Sequence, residues 1–408
     1  MIYPRVSLYA LMLAAAGIPL YIHLPRFASV ELGIGLGAIG AILLAIRLVD
    51  LVQDPLIGWA IDRWPRAQSL FAVAAALGLA IGFPLLFATQ PGSSVVARLL
   101  VILVLLFSAY SLGMILLYGR SATLAAEPTP RELMRLAAYR EAGMLAGVIV
   151  AAIAPAILVT LGAAEQGYGA FGLFLGAIAL GTAVLTLPIW RREPLQAERL
   201  SLVGLRQAGA MRLLTLALVN SLPVAITSTL FLFFVEDRLQ LAGKAGPLLI
   251  LFFLSAGFSV PFWVWTSQKM GAKATLMIAM PLAILGFVGA AFLAPGNLIG
   301  FAAICLASGA ALGADMVILP TMFSVALTKA GLEASAAFGI WSFAGKLGLA
   351  LAAFLTLPLL EFSGFVPGAS NSAAALGALN VSYAVFPCLL KLGALALVLA
   401  LPTENQIA

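Results

Sequence analysis

Charge is what this chain has least of. Of its 408 residues, 22 are Lys or Arg and 16 are Asp or Glu, which makes 9%. A soluble globular domain carries roughly a quarter. Histidine occurs once, as His23, and cysteine twice, as Cys305 and Cys388. None of the three sits at a metal-ligand spacing. Both cysteines fall in apolar runs, where they read as small packing residues and say nothing about redox compartment. Polar stretches are short, so no soluble domain of any size fits between the apolar ones. A D-x-x-x-D pattern occurs once, at Asp50 and Asp54. Metal-dependent prenyl- and phosphotransferases need a second acidic cluster to hold Mg²⁺ and diphosphate. The chain is therefore read as no enzyme, with no cofactor.

What is present is apolar: 63% of the residues, with a mean hydropathy of +1.12. About 20 such residues cross the hydrocarbon core as a helix. Twelve segments qualify, approximately 6–27, 36–61, 69–89, 96–125, 137–162, 169–190, 210–235, 245–266, 274–294, 298–327, 334–361 and 374–401. The expectation is an all-α integral membrane protein. Its first apolar run lacks a small-residue cleavage site and reads as a retained helix. Fourteen basic residues flank one set of alternate loops and four the other. The positive-inside rule then puts both termini in the cytoplasm, in a bacterial inner membrane. The net charge of +6 follows from that topology and does not imply nucleic acid. The expected partners are the lipid bilayer and a small-molecule substrate, with the chain acting as a monomer.

The longest connection, 191–212, divides six segments from six. It separates an N-terminal bundle, 1–190, from a C-terminal bundle, 213–408. Two pseudo-symmetric six-helix bundles joined by a basic loop suggest the major facilitator fold, with substrate bound near the midplane. The loop GWAIDRWPR (Gly58–Arg66) resembles the facilitator motif G-x-x-x-D-R-x-G-R, with Pro65 at the second glycine. Asp62 and Arg63 there are candidates for charge pairing at the helix ends. Gly33, Gly35, Gly37 and Gly40, opening span two, suit close helix packing.

Arg47, Asp50 and Asp54 lie at i, i+3 and i+7 and so share one helix face. The two carboxylates could hold a hard cation such as Na⁺, share a proton, or form an ion-pair cluster that only fixes packing. Ionisable groups at bilayer depth cost about 2.5–3.5 kcal/mol each and mark ion or substrate pathways. Pro55 deprives the Leu51 carbonyl of its helical partner, which adds a candidate ligand.

The run R-x-x-D-x-x-x-D-P-x-x-G-x-x-x-D, Arg47 to Asp62, resembles the signature of the glycoside–pentoside–hexuronide:cation symporters, the melibiose permease family. Similar stretches are GIPLYIHLP (Gly17–Pro25), AAYRE (Ala137–Glu141), ALGAD (Ala311–Asp315) and AGKLG (Ala344–Gly348). The resemblance implies a coupling Na⁺, Li⁺ or H⁺ at Asp50 and Asp54. It also implies sugar contacts from Arg140 and a central-site Lys346. Departures are equally plain. Span four has no acid where family members grip the sugar, and Arg120 stands near the place of an aromatic.

Counting Arg47, Arg120, Lys346 and Lys391 against Asp50, Asp54 and Asp315 makes the interior positive. An anionic substrate held by Arg120 or Arg140 is then expected, with Arg120 alternatively snorkelling to the surface. Tyr118 is a further substrate-site candidate. Trp341 either stacks on a sugar or packs, and His23 is either proton-linked or structural. Asp315 is expected to pair with Lys346, while Lys391 has no derivable role. Trp263 and Trp265 read as interfacial anchors. The functional expectation is cation-coupled symport of a glycoside-like solute by alternating access. The rival on the same fold is a proton-coupled exporter or transporter of an amphiphilic or siderophore-like cargo.

Overall fold

The computed structural model describes residues 2–24, 27–28, 31–34, 36–163, 167–193, 202–366 and 368–402. Pro25, Arg26, Gly35, Arg199 and the stretch 194–201 of the central loop lie outside the described residues. No β-strand occurs among those described. Helices α1 (Tyr3–Ile18) and α2 (Leu36–Arg63) occupy the first two expected spans. Ten more are long and apolar enough to cross a membrane: α3 (Pro65–Phe87), α4 (Val95–Gly119), α5 (Pro130–Thr160), α6 (Tyr168–Arg191), α7 (Ala210–Arg238), α8 (Ala245–Met270), α9 (Ala272–Phe292), α10 (Leu298–Lys329), α11 (Ala334–Phe362) and α12 (Ala373–Leu399). Aliphatic and aromatic side chains stand open on their outer faces, as lipid requires; Phe362 is 90% exposed.

Local chemistry explains several boundaries. Thr129-Pro130-Arg131-Glu132 opens α5. Thr129 Oγ1 accepts the Glu132 N–H at 3.3 Å, and Pro130 fills a position whose N–H has no helical partner. Ser372 caps α12 in the same way, through Ala375 N–H at 3.2 Å.

The chain divides into two compact units, residues 1–204 with 327–343, and residues 205–326 with 344–408. In the first, helices approach closely where glycines remove side chains. Gly143 and Gly147 of α5 lie against the Ser7 and Leu11 carbonyls of α1, and Gly172 of α6 against that of Phe83 in α3. Such small-residue contacts supply the packing that lipid does not drive. The first unit also takes in the first ten residues of α11.

In the second unit, Gly309 and Gly313 bring α10 onto α8. Three α8 side chains then bond α10 carbonyls: Ser255 to Leu306 at 2.6 Å, Ser259 to Ala310 at 2.9 Å and Trp263 Nε1 to Ala310 at 2.6 Å. Trp263 is therefore a buried helix clamp and not the interfacial anchor expected from sequence. Trp265 is 53% exposed with Lys269 over its ring. The core of this unit gathers around Phe234 and Tyr383, stacked at 4.0 Å.

Candidate functional site

Helix α2 keeps its acids on one side. Leu48, Val52, Leu56 and Trp59 are more than half exposed, while Ile46, Asp50, Asp54 and Ile61 are at 1% or less. Arg47 Nη1 donates to Asp50 Oδ2 at 2.8 Å, and its guanidinium sits 4.8 Å over the Phe107 ring of α4. Asp54, one turn on, accepts a hydrogen bond from Ser342 Oγ at 3.0 Å. Pro55 follows within the helix, so the Leu51 carbonyl oxygen has no α-helical N–H to accept. Ser108 of α4 donates to Gln53 Oε1 at 2.6 Å on the adjoining face. Two buried carboxylates, a spare carbonyl and one guanidinium make a place where a small cation or a proton can bind.

The start of α11 packs against this end of α2. A Cβ on Gly339 would come within 2.6 Å of the Asp54 carbonyl oxygen, and one on Gly119 within 2.6 Å of Ser335 Cα. Asp62 Oδ2 accepts the Ala336 N–H at 2.7 Å. That amide belongs to the first turn of α11, whose donors have no helical partners, so α2 supplies a cap to α11. Arg120 Nη2 donates to the Ile61 carbonyl at 2.6 Å and lies 3.6 Å from Asp62 Oδ1. It is 8% exposed. The expectations that Arg120 holds substrate or snorkels are both corrected: it caps the last turn of α2. Asp62 takes part in this cluster, whereas Arg63 is exposed and joins none of these pairs.

Between α4 and α5 lies a second cluster. Arg140 and Glu141 are 3% and 2% exposed. Arg140 Nε donates to Glu141 Oε1 at 2.9 Å, and the Tyr118 hydroxyl donates to the same oxygen at 3.2 Å. The guanidinium rests 3.8 Å over the Tyr118 ring. Arg140 Nη2 is buried and has no hydrogen-bond partner. Trp341, near Phe338 at 6.1 Å, packs in the α11 segment of this unit. Phe338 in turn lies 5.7 Å from Tyr118. His23 sits apart, edge-on to Phe171 at 5.6 Å and Tyr168 at 6.0 Å.

Lys346 is buried in the second unit. The expected pairing of Asp315 with Lys346 is corrected. Asp315 Oδ2 is paired with Lys391 of α12, whose ammonium also donates to Asn220 Oδ1 of α7 at 2.7 Å. Beside this pair lies a cavity of about 70 Å³, walled by Pro223, Phe252, Phe287 and Leu312 among others. A water needs about 10–15 Å³ of such space, so it has room for a few waters.

Charge across the described interior therefore balances. The first unit holds Arg47, Arg120 and Arg140 against Asp50, Asp54, Asp62 and Glu141; the second holds Lys346 and Lys391 against Asp315. The positive interior expected from sequence is corrected, because that count left out Asp62 and Glu141.

A family profile described as MFS/sugar transport protein matches residues 6–405. The chain belongs to the MFS/sugar transport protein family. It is an integral membrane transporter and not an enzyme, and the resemblance carried by the α2 signature holds over the whole length. A similar sequence is the isoprimeverose transporter of Lactiplantibacillus pentosus, 24% identical over 404 residues, covering 90% of this chain and 81% of that protein. Among solved structures, a bacterial homologue of the iron transporter ferroportin matches with a TM-score of 0.71 at 16% identity, over 98% of this chain and 99% of the other. The human organic anion transporter MFSD10 matches at 0.65 and 16%, over 97% and 98%. The nucleoside transporter NupG matches at 0.63 and 13%, over 97% and 100%. At these identities the structural matches establish the facilitator fold alone.

Three residues of this transporter's clusters escape a reading of sequence. Glu141 is the neighbour of Arg140 in AAYRE, and its position four residues into an apolar run was the available signal. Ser342 and Asn220 carry no signal, since a lone serine or asparagine in a membrane helix has many ordinary uses.

Proposed function

We propose that this transporter couples the entry of a cation, Na⁺ or H⁺, to the uptake of a glycoside-like polar solute by alternating access. The observation that carries the reading is the pair Asp50 and Asp54, 1% and 0% exposed on one face of a membrane helix. Carboxylates held at such depth are kept there for an exchangeable positive partner. The similarity to an isoprimeverose transporter supports a glycoside as cargo.

The coupling ion binds at Asp54 and Asp50 and competes with the Ser342 hydroxyl for Asp54 Oδ2. Binding loosens the start of α11 from α2, and release of the ion restores the contact. An ion acts in this way only through its different affinity for the two arrangements. Substrate binds at Arg140 and Tyr118, with Trp341 as a further contact. The basic flanks support cytoplasmic termini in an inner membrane, and one chain suffices without a cofactor.

The test is Asp54→Asn in proteoliposomes. Accumulation driven by an ion gradient is expected to vanish while the variant remains folded and monodisperse. Unchanged accumulation overturns the cation-site assignment.

A further inference from the structure

We propose that the cavity beside Lys391 is a binding site for a short-chain alcohol, whose hydroxyl bridges Asp315 Oδ1 and the Lys391 ammonium. The site lies wholly within the second unit and shares no residue with the clusters of the first. It stands or falls apart from the symport reading.

The polar end of this cavity is incompletely bonded. The Lys391 ammonium has three N–H groups. One goes to Asp315 Oδ2 and one to Asn220 Oδ1, which leaves one over. Asp315 Oδ1 is buried and has no hydrogen-bond partner among the described residues. Both residues line the cavity, and both are more than nine-tenths buried. A buried polar atom left unmet is costly, so a brace present only for packing would close on the partners it has. Here one acceptor and one donor are left over on the same ion pair.

Charge and size select the occupant. The pair sums to zero, so a cation would meet the charge of Lys391 and an anion that of Asp315, and like charges repel strongly away from water. A hydroxyl both donates and accepts, and so answers the two groups at once. The rest of the wall asks for little more polarity. Val224, Phe252, Ile284, Phe287 and Leu312 are apolar. The Thr227 and Ser308 hydroxyls donate to carbonyls of their own helices, those of Val224 at 3.0 Å and Ile304 at 2.6 Å. The volume of about 70 Å³ admits about five water-sized groups. One is the hydroxyl, and the remainder suits about three or four carbons. Water meets the polar end equally well, but only an alkyl chain gains from covering the apolar wall. An alcohol there touches α7, α8, α9, α10 and α12 together and stabilises the second unit.

The test uses the purified full-length chain and two isomers, 1-propanol and ethyl methyl ether, of which only the alcohol can donate. Saturation-transfer NMR in one detergent compares wild type with the double variant Lys391→Met, Asp315→Leu. Wild type is expected to bind the alcohol at least tenfold tighter than the ether, and the double variant to lose that preference. Wild-type crystals soaked in 2-bromoethanol are expected to show bromine in the cavity, with the oxygen in hydrogen-bond reach of Asp315 Oδ1 and Lys391 Nζ. Equal binding of the isomers by wild type, or binding of neither, overturns the proposal and needs no variant to fold. A preference unchanged in the double variant overturns it as well. So does water alone at the polar end of the soaked crystals, or binding at crystal concentration only.

Discussion

The two halves of this transporter bury charge in opposite ways. In the first, the acids outnumber the bases by one, and between α2 and the start of α11 the bonds on the carboxylates include a serine hydroxyl on Asp54 and a backbone amide on Asp62, beside the Arg47–Asp50 ion pair within α2. In the second, the bases outnumber the acids by one, and Lys391 is clasped by a carboxylate and an amide oxygen from two other helices. A hydroxyl's hydrogen bond to a carboxylate is exchanged for an ion at smaller cost than a buried ion pair, which cannot be opened without exposing both charges. In the proposed cycle, α2 and the start of α11 then form the exchangeable side, and α7, α10 and α12 the braced one.

The comparison breaks most sharply at Asp54. Asp54→Asn should remove gradient-driven accumulation completely, measured as uptake of a labelled glycoside into proteoliposomes. Equilibrium binding of the sugar should persist. If Asp315→Asn gives the same phenotype in a folded protein, the braced side also carries an ion and the contrast fails.

Next in size is the brace itself. Lys391→Met alone leaves Asp315 buried with a lost counter-charge and should destabilise the protein by about 3–5 kcal/mol. The double variant Lys391→Met with Asp315→Leu should recover most of that loss, because apolar replacement of a whole buried pair is often neutral. Thermal unfolding in detergent measures both. Recovered stability together with retained uptake is the expected outcome, and recovered stability with lost uptake would move the second half from support into mechanism.

How far the sequence revealed this arrangement depends on whether the interaction is local. Helix number and the acid face of α2 follow from spacing along one segment, and both are legible. Helix α5, by contrast, starts at Pro130, before the apolar run expected from 137, because its Thr129 cap lies in the polar stretch ahead of that run. The partners of Arg120 and Asp315 are set by which helices meet, and composition holds no record of that. Arg120 is expected at an anionic substrate because bases outnumber acids in the apolar runs. It finds instead the Ile61 carbonyl and the Asp62 carboxylate, 59 and 58 positions away in the chain. Glu141 escapes the count because it stands only four residues into the apolar run, although about three turns inside the helix that starts at Pro130. It is buried where α5 packs on α1 and the Tyr118 side chain of α4 reaches it.

Arg120 offers a smaller test of the exchangeable side. As a cation at the last turn of α2, partly buried, it should contribute about 2 kcal/mol. Arg120→Ala should lower the unfolding midpoint and weaken the Asp62 cap on α11, while glucoside affinity stays within about twofold. A large loss of sugar affinity at unchanged stability would return Arg120 to the substrate site.

The smallest effect has the most informative sign. Ser342 and a bound cation want the same oxygen of Asp54. If they compete, Ser342→Ala removes a bond worth about 1 kcal/mol from the ion-empty form only, so half-saturation by Na⁺ should fall about fivefold. If the hydroxyl is itself a ligand, the same substitution removes one oxygen from the ion-bound form, and half-saturation should rise. Glucoside uptake measured against Na⁺ concentration separates the two directly. The 3.0 Å bond from Ser342 Oγ, together with Gly339 pressed on the Asp54 carbonyl, puts α11 in the place an ion would need. A fall in half-saturation is therefore the expected result, and a rise would make α11 part of the ion's cage instead of its competitor.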